Sequence, residues 1–223
     1  MRALFLTALL SLAGSASGEG APATRPAAEK LPHVQVDVEK KQVRIECDAV
    51  IADTPLEFLV CLTGTKEYES LLRSRAKPSH VHLALLMIGV KPGKPARFDE
   101  QANRMLPPEG SPVKLTCTFE REGKAVTCPA ARLMRNQKTR EAMPDTPWVF
   151  AGSRFTEQGD YLADVSGETI SVVNFPHAVL DVPMVRSSRN ESLEWVPNPD
   201  TVPKRDAKVW LVIEPAEAHA GGH

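Results

Sequence analysis

Residues 65–93, TKEYESLLRSRAKPSHVHLALLMIGVKPG, constrain the fold more than any other stretch, because they carry the one long apolar helical run beyond the first 18 residues. Val81, Leu83, Ala84, Leu85, Leu86, Met87, Ile88 and Val90 leave almost no polar face, so residues 79–90 predict a buried helix of about three turns. The run is roughly half of the ~20 residues that cross a bilayer, which makes it a core helix and predicts no membrane span. Ser79 reads as its N-cap, and Gly89 with Lys91-Pro92-Gly93 as its stop. Upstream, Thr65 reads as an N-cap and Glu67 as a carboxylate at the positive end of a helix dipole. Tyr68, Leu71 and Leu72 then fall at i, i+3 and i+4, which predicts a first helix ended by Pro78.

The first 18 residues have the pattern of a secretory signal: Arg2, an apolar centre over 3–13, and Ala16-Ser17-Gly18 as the small-residue site. Residues 19–32 read as a flexible linker, 33–214 as a single domain, and 215–223 as a disordered tail. The expected product is periplasmic or secreted. Losing Arg2 with the signal takes the formal charge from −1 to −2, which argues against nucleic acid as a partner.

Alternation dominates the remainder. Val34, Val36 and Val38, then Val43 and Ile45, keep a period of two, and residues 49–51 and 56–62 are apolar segments joined across Asp53-Thr54-Pro55. Residues 113–120 and 125–132 predict a hairpin around Arg121-Glu122-Gly123-Lys124. With Glu122 and Gly123 at its centre, Cys117 faces Cys128 at a separation a disulfide tolerates. That bridge is expected in an oxidising compartment, and Cys47 and Cys61 pair by elimination. Residues 147–153, 161–163, 169–173 and 208–213 predict further strands, with Val209, Leu211 and Ile213 on one face of the last. A polar loop follows Asp181-Val182-Pro183, and residues 134–143 fit a strand edge or a short helix. The fold class is α+β, a mainly antiparallel β core with a two-helix insert packed on it.

No motif carries a complete chemistry. His80 and His82 have the spacing of paired metal ligands on a strand, but on a helix they point about 200° apart, so no metal is expected. His82 could instead meet Glu67 or Glu69 and Lys66 across the helical pair. Glu67 and Glu69 diverge at i, i+2 on a helix, and Glu69 suits an ion pair with Arg73. Ser153 lacks the second glycine of a nucleophile elbow, although His177 and Asp181 could complete a triad with it. Trp148, Phe150, Phe155 and Tyr161 suit a core better than a sugar-stacking surface. His219 and His223 in the tail offer at most a weak metal grip.

Four segments together resemble the YdjY-domain family of secreted bacterial proteins: LEFLVCLTGTKEYESLL, HVHLALLMIGVKPG, PWVFAGSRF with the following YLAD, and ISVVNFPHAVLDVP. The resemblance spans residues 34–214 and implies a secreted or periplasmic domain with no assigned activity, cofactor or substrate. In that family the position of Tyr68 is often His, and its absence here removes a second imidazole from the neighbourhood of His82. The expected function is a non-catalytic binding or assembly domain whose partner is an envelope protein or glycan, with no cofactor. The contact face would carry the TKEYES segment and residues 147–153. Its candidate ligand-binding residues are Lys66, Glu67, Glu69, His82, Ser153 and Asn174. The alternative is a hydrolase or metal-dependent enzyme using His82 with Glu67 or Glu69.

Overall fold

The computed structural model describes residues 31–217; the expected signal, all of the linker but Leu31 and Pro32, and His219 and His223 lie outside the described residues. Ten strands form one sheet: β1 (Val34–Asp37), β2 (Gln42–Ala49), β3 (Phe58–Leu62), β4 (Ser70–Ser74), β5 (Pro112–Arg121), β6 (Lys124–Pro129), β7 (Trp148–Phe150), β8 (Glu168–Ser171), β9 (Leu180–Asp181) and β10 (Lys208–Pro215). Pairing runs β2–β10–β5–β7–β9–β8–β3–β4 and returns from β4 to β2, which closes an eight-stranded barrel. β1 adds to the outer edge of β2, and β6 to that of β5. The pairs are antiparallel except β3–β4 and β8–β9. The β-rich core of the sequence reading is therefore present, in the more specific form of a closed barrel.

Alternation produces this barrel directly. Val43, Ile45, Cys47 and Ala49 of β2, Val113, Leu115, Cys117 and Phe119 of β5, and Val209, Leu211 and Ile213 of β10 all turn inward. They fill the interior, as eight-stranded closure with branched side chains does. The β5–β6 hairpin turns at Glu122 and Gly123, both at positive φ (54° and 74°), the primed geometry that matches strand twist. Its register sets Cys117 opposite Cys128, as the turn predicts, and both stand as free thiols. Cys47 and Cys61 do not form the expected pair. β4 lies between them, with Ser74 opposite Cys47 and Arg73 opposite Cys61, so two strand spacings, about 10 Å, exceed the ~7 Å limit of a disulfide.

The two-helix insert is corrected in its first half. Residues 67–69 form one 3-10 turn, and residues 70–74 are β4, the strand that closes the barrel. Leu71 and Leu72 are both fully buried because partners cover both faces of β4, and such a strand mimics a helical stripe in sequence. The second helix exists as α1 (Pro78–Met87), with Lys77 as N-cap and Pro78 in the first turn. Ser79 lies inside it: its N–H and hydroxyl donate to Asp164 at 2.7 and 2.6 Å, so a carboxylate from a distant segment caps the helix. Only Val81, Ala84, Leu85 and Ile88 enter the core, while Leu83, Leu86 and Met87 are exposed, so this helix is half-buried rather than buried.

Tyr161 makes a single bridge to Phe155, and the expected strand over 161–163 is instead the start of α2 (Leu162–Ser166). The strand Met134–Asn136 pairs with Trp195–Pro197 in a separate ribbon. Asp181 belongs to a buried strand, with the polar loop beginning after it, and Pro215 still pairs with Val113. No helix among the described residues is long and apolar enough to cross a membrane.

Ladder pairing is thinnest where β9 joins β7 and β8, with two register pairs on one side and one on the other. Side chains complete that seam. Trp148 Nε1 donates to the Ser171 carbonyl at 2.8 Å, and Ser171 Oγ, Asn174 Nδ2 and the Val182 N–H all donate to Asp181 Oδ1, at 2.8, 3.1 and 2.7 Å.

Candidate functional site

The parallel pairing of β3 with β4 sets Phe58 beside Ser70 and carries on upstream, where the Glu57 N–H donates to the Glu69 carbonyl at 3.0 Å. Two acidic residues thus stand side by side at the entry of adjacent strands, about one strand spacing apart. They line a cleft of about 440 Å³ with Thr54, Pro55, Tyr68 and Leu193. Tyr68 is 66% exposed at the rim. Its carbonyl accepts a 2.7 Å hydrogen bond from Thr54 Oγ1, which ties the two walls together.

Lys66 lies behind this pair. Its ammonium is 3.5 Å from Glu69 Oε1 and sits over the rings of Phe58 and Phe175, 5.4 and 5.9 Å from their centroids. Those rings stack on each other at 4.7 Å. A third carboxylate, Glu168, opens β8. It is 6% exposed, its Oε2 makes no hydrogen bond, and His177 Nδ1 is 3.9 Å away. Burial, then the Glu69 charge and hydrogen bonding to that carboxylate, push the Glu57 carboxyl up to about 7 against the pull of Lys66. Glu168 is also raised, chiefly by burial and partly offset by Lys66. Burial and the neighbouring Glu69 charge thus favour the protonated form of Glu57 relative to a free carboxylate.

The other expected site residues are dispersed. Glu67 accepts the Gly64 N–H at 2.6 Å and locks its own turn. His82 projects from α1 onto the end of β7. Its Nδ1 is 2.8 Å from the Tyr161 hydroxyl, which donates to the Gly152 carbonyl at 3.0 Å, and its ring meets Phe150 edge-on. Burial lowers the His82 pKa, with the Gly152 carbonyl in opposition and no contribution from Glu67, Glu69 or Lys66. Ser153 sits at φ 54° with a buried Oγ that makes no hydrogen bond. The partners a triad would need are committed elsewhere, His177 beside Glu168 and Asp181 to the seam. Asn174 is structural: its amide donates to Asp181, and its Oδ1 accepts the Arg186 N–H at 2.6 Å. Trp148 and Phe150 are core residues.

Sequence reasoning reached Lys66 and Glu69 but missed Glu57, which the β3–β4 register sets beside Glu69, Glu168 at the start of β8, and Phe175, which stacks on Phe58 from the loop after β8. A second cleft, about 210 Å³ and lined by Glu46, Cys47, Asp48, Arg75, Lys208, Val209 and Trp210, has Asp48 already paired with Lys208 and Arg73.

Fold and site together define an eight-stranded β-barrel domain with a filled interior and a carboxylate-floored cleft on its outside. The chain belongs to the YdjY-domain family, whose model matches residues 34–214. No curated protein and no solved structure matches it.

Proposed function

We propose that this domain is a secreted or periplasmic binding module, without catalysis, that receives an envelope protein or glycan in the Glu57–Glu69 cleft. One observation carries the reading: the register of β3 and β4 brings two carboxyls together beneath an exposed tyrosine in an open cleft. The barrel interior is packed with side chains, so the ligand is held outside it. Of the contact face expected from sequence, the TKEYES segment remains available, whereas Trp148, Val149 and Phe150 are buried.

Titration of the mature chain with soluble cell-wall glycan fragments and peptides, followed by amide NMR, tests this. The expected result is shifts confined to residues 53–57 and 66–69, lost in Tyr68→Ala, with the ligand recovered intact. Shifts centred on Leu83, Leu86 and Met87 of α1 would move the interface elsewhere. Turnover of the ligand that disappears in Glu69→Gln would make the protein an enzyme.

A further inference from the structure

We propose that the outer face of the barrel carries a second, separate binding site, for an acidic sugar, at Trp210 and Arg75. Alternation turns Arg44, Glu46 and Asp48 of β2, Arg73 of β4, and Lys208 and Trp210 of β10 away from the core. Of the three tryptophans, Trp148 and Trp195 are buried, whereas Trp210 keeps part of its surface in water. Register sets it between Glu46 of β2 and Thr118 of β5. The Arg44 guanidinium lies over its ring, 4.6 Å from the centroid. The indole also borders the cleft of about 210 Å³ that Glu46, Asp48, Arg75 and Lys208 line. That cleft exists because two strands share one edge of β2. β1 pairs with residues 42–45 and β4 with residues 47–49, and the two meet beside Glu46.

Charge decides what the cleft can hold. Asp48 is paired with Lys208 and Arg73, and Glu46 is bonded to His33 Nδ1 at 2.8 Å. Both acids of the cleft are therefore engaged. Arg75 is exposed and makes no ion pair among the described residues. One uncommitted guanidinium suits one carboxylate, which it grips through two parallel N–H donors. A polyphosphate would need several such cations.

The indole adds the second requirement, a flat apolar face. The C–H face of a sugar ring supplies it, while the ring hydroxyls turn to the polar groups of Glu46, Asp48 and Lys208. At about 210 Å³ the cleft is smaller than the roughly 300–1,000 Å³ of pockets for drug-sized ligands, so it takes a single ring. Past Trp210, the Thr118 and Thr127 hydroxyls, 3.0 Å apart, continue the polar row across β5 and β6, where the next sugar of a chain would lie. Glu69 precedes β4 and Arg75 follows it, so about 20 Å of strand separates this site from the Glu57–Glu69 cleft.

The test is titration of the mature chain with galacturonic acid, its linear tetramer, galactose and acetate, read by calorimetry and by the Trp210 indole N–H in NMR. Galacturonate or its tetramer should shift that resonance. Galactose, which lacks the carboxylate, and acetate, which lacks the ring, should each bind at least about tenfold more weakly. Arg75→Gln should reduce the affinity for galacturonate to that for galactose, and Trp210→Ala should weaken both sugars. Both side chains face outward, so circular dichroism should stay unchanged, and Tyr68→Ala should leave the titration as it is. A tetramer that binds more tightly than the monomer identifies a glycan chain as the ligand, and equal binding a free sugar acid. The inference is overturned if galactose or acetate matches galacturonate, if Arg75→Gln leaves the affinity unmoved, or if neither acid binds the intact chain. Shifts of residues 53–57 and 66–69 with cell-wall fragments are read separately, so failure here leaves the reading of the Glu57–Glu69 cleft standing.

Discussion

Asp181 is fully buried in β9 and receives three hydrogen bonds on Oδ1, while its Oδ2 has none. Burial dominates over the Ser171, Asn174 and Val182 donors and pushes its carboxyl from 3.8 up to about 7. Because the folded value is raised, the folded state holds a proton the unfolded state has released. The resulting stability is complete below the unfolded pKa, declines as pH rises, and is gone above about 7. About three pKa units correspond to about 4 kcal/mol, of which about 3 kcal/mol falls between pH 5 and pH 8. Asp181→Asn keeps the Oδ1 acceptor and copies the neutral carboxyl, at a cost of about 1 kcal/mol for an amide placed where Oδ2 has no partner. Urea denaturation of both proteins across this pH range cancels every other titrating group in the difference. The variant should match the wild type near pH 5, where about 1 kcal/mol of the wild-type stability has already gone, and be about 3 kcal/mol stronger at pH 8, a divergence worth roughly 6–12 °C in melting temperature at the upper end. Parallel curves for the two proteins would show that Asp181 is ionised in the fold, and the burial argument would fail.

Oxidised glutathione should close Cys117–Cys128, each thiol losing its proton as the pair is oxidised and the glutathione disulfide reduced. Thiol counting should then find Cys47 and Cys61 free, with a gain of about 3 kcal/mol from the closed hairpin loop; a Cys47–Cys61 bridge in the mass map would contradict the β2–β4–β3 order. Gly167, at φ 80°, has no room for a side chain, since an added Cβ would lie 2.2 Å from Thr65 Oγ1. Gly167→Ala should cost at least about 2 kcal/mol in denaturant unfolding, whereas Gly123→Ala, at φ 74° with nothing within 4 Å, should cost about 1 kcal/mol. Equal costs would show that backbone conformation alone governs both positions.

The strands with one wet face were legible in the sequence. β2, β5 and β10 alternate cleanly, and the Glu122-Gly123 turn fixed the Cys117–Cys128 register to the residue. β4 was not legible, because burial on both faces erases the period of two and Leu71 and Leu72 then imitate a helix. α1 was legible as a helix but not in its burial, since a segment apolar all round carries no mark of which side meets protein. The same limit applies to the site. Lys66 and Glu69 stand out as charges within one turn, but Glu57 is twelve positions upstream of Glu69 and Glu168 ninety-nine beyond it.

What the sequence determined by itself was local: alternation, turn chemistry, the length of the apolar run, and the family those segments spell. Closure of the barrel, the covered faces of β4, and the placing of Glu57 beside Glu69 were decided only by the tertiary structure. Strand order and register are cooperative properties of the whole sheet, and the environment that pushes Glu57 up to about 7 exists only after distant strands have removed its water.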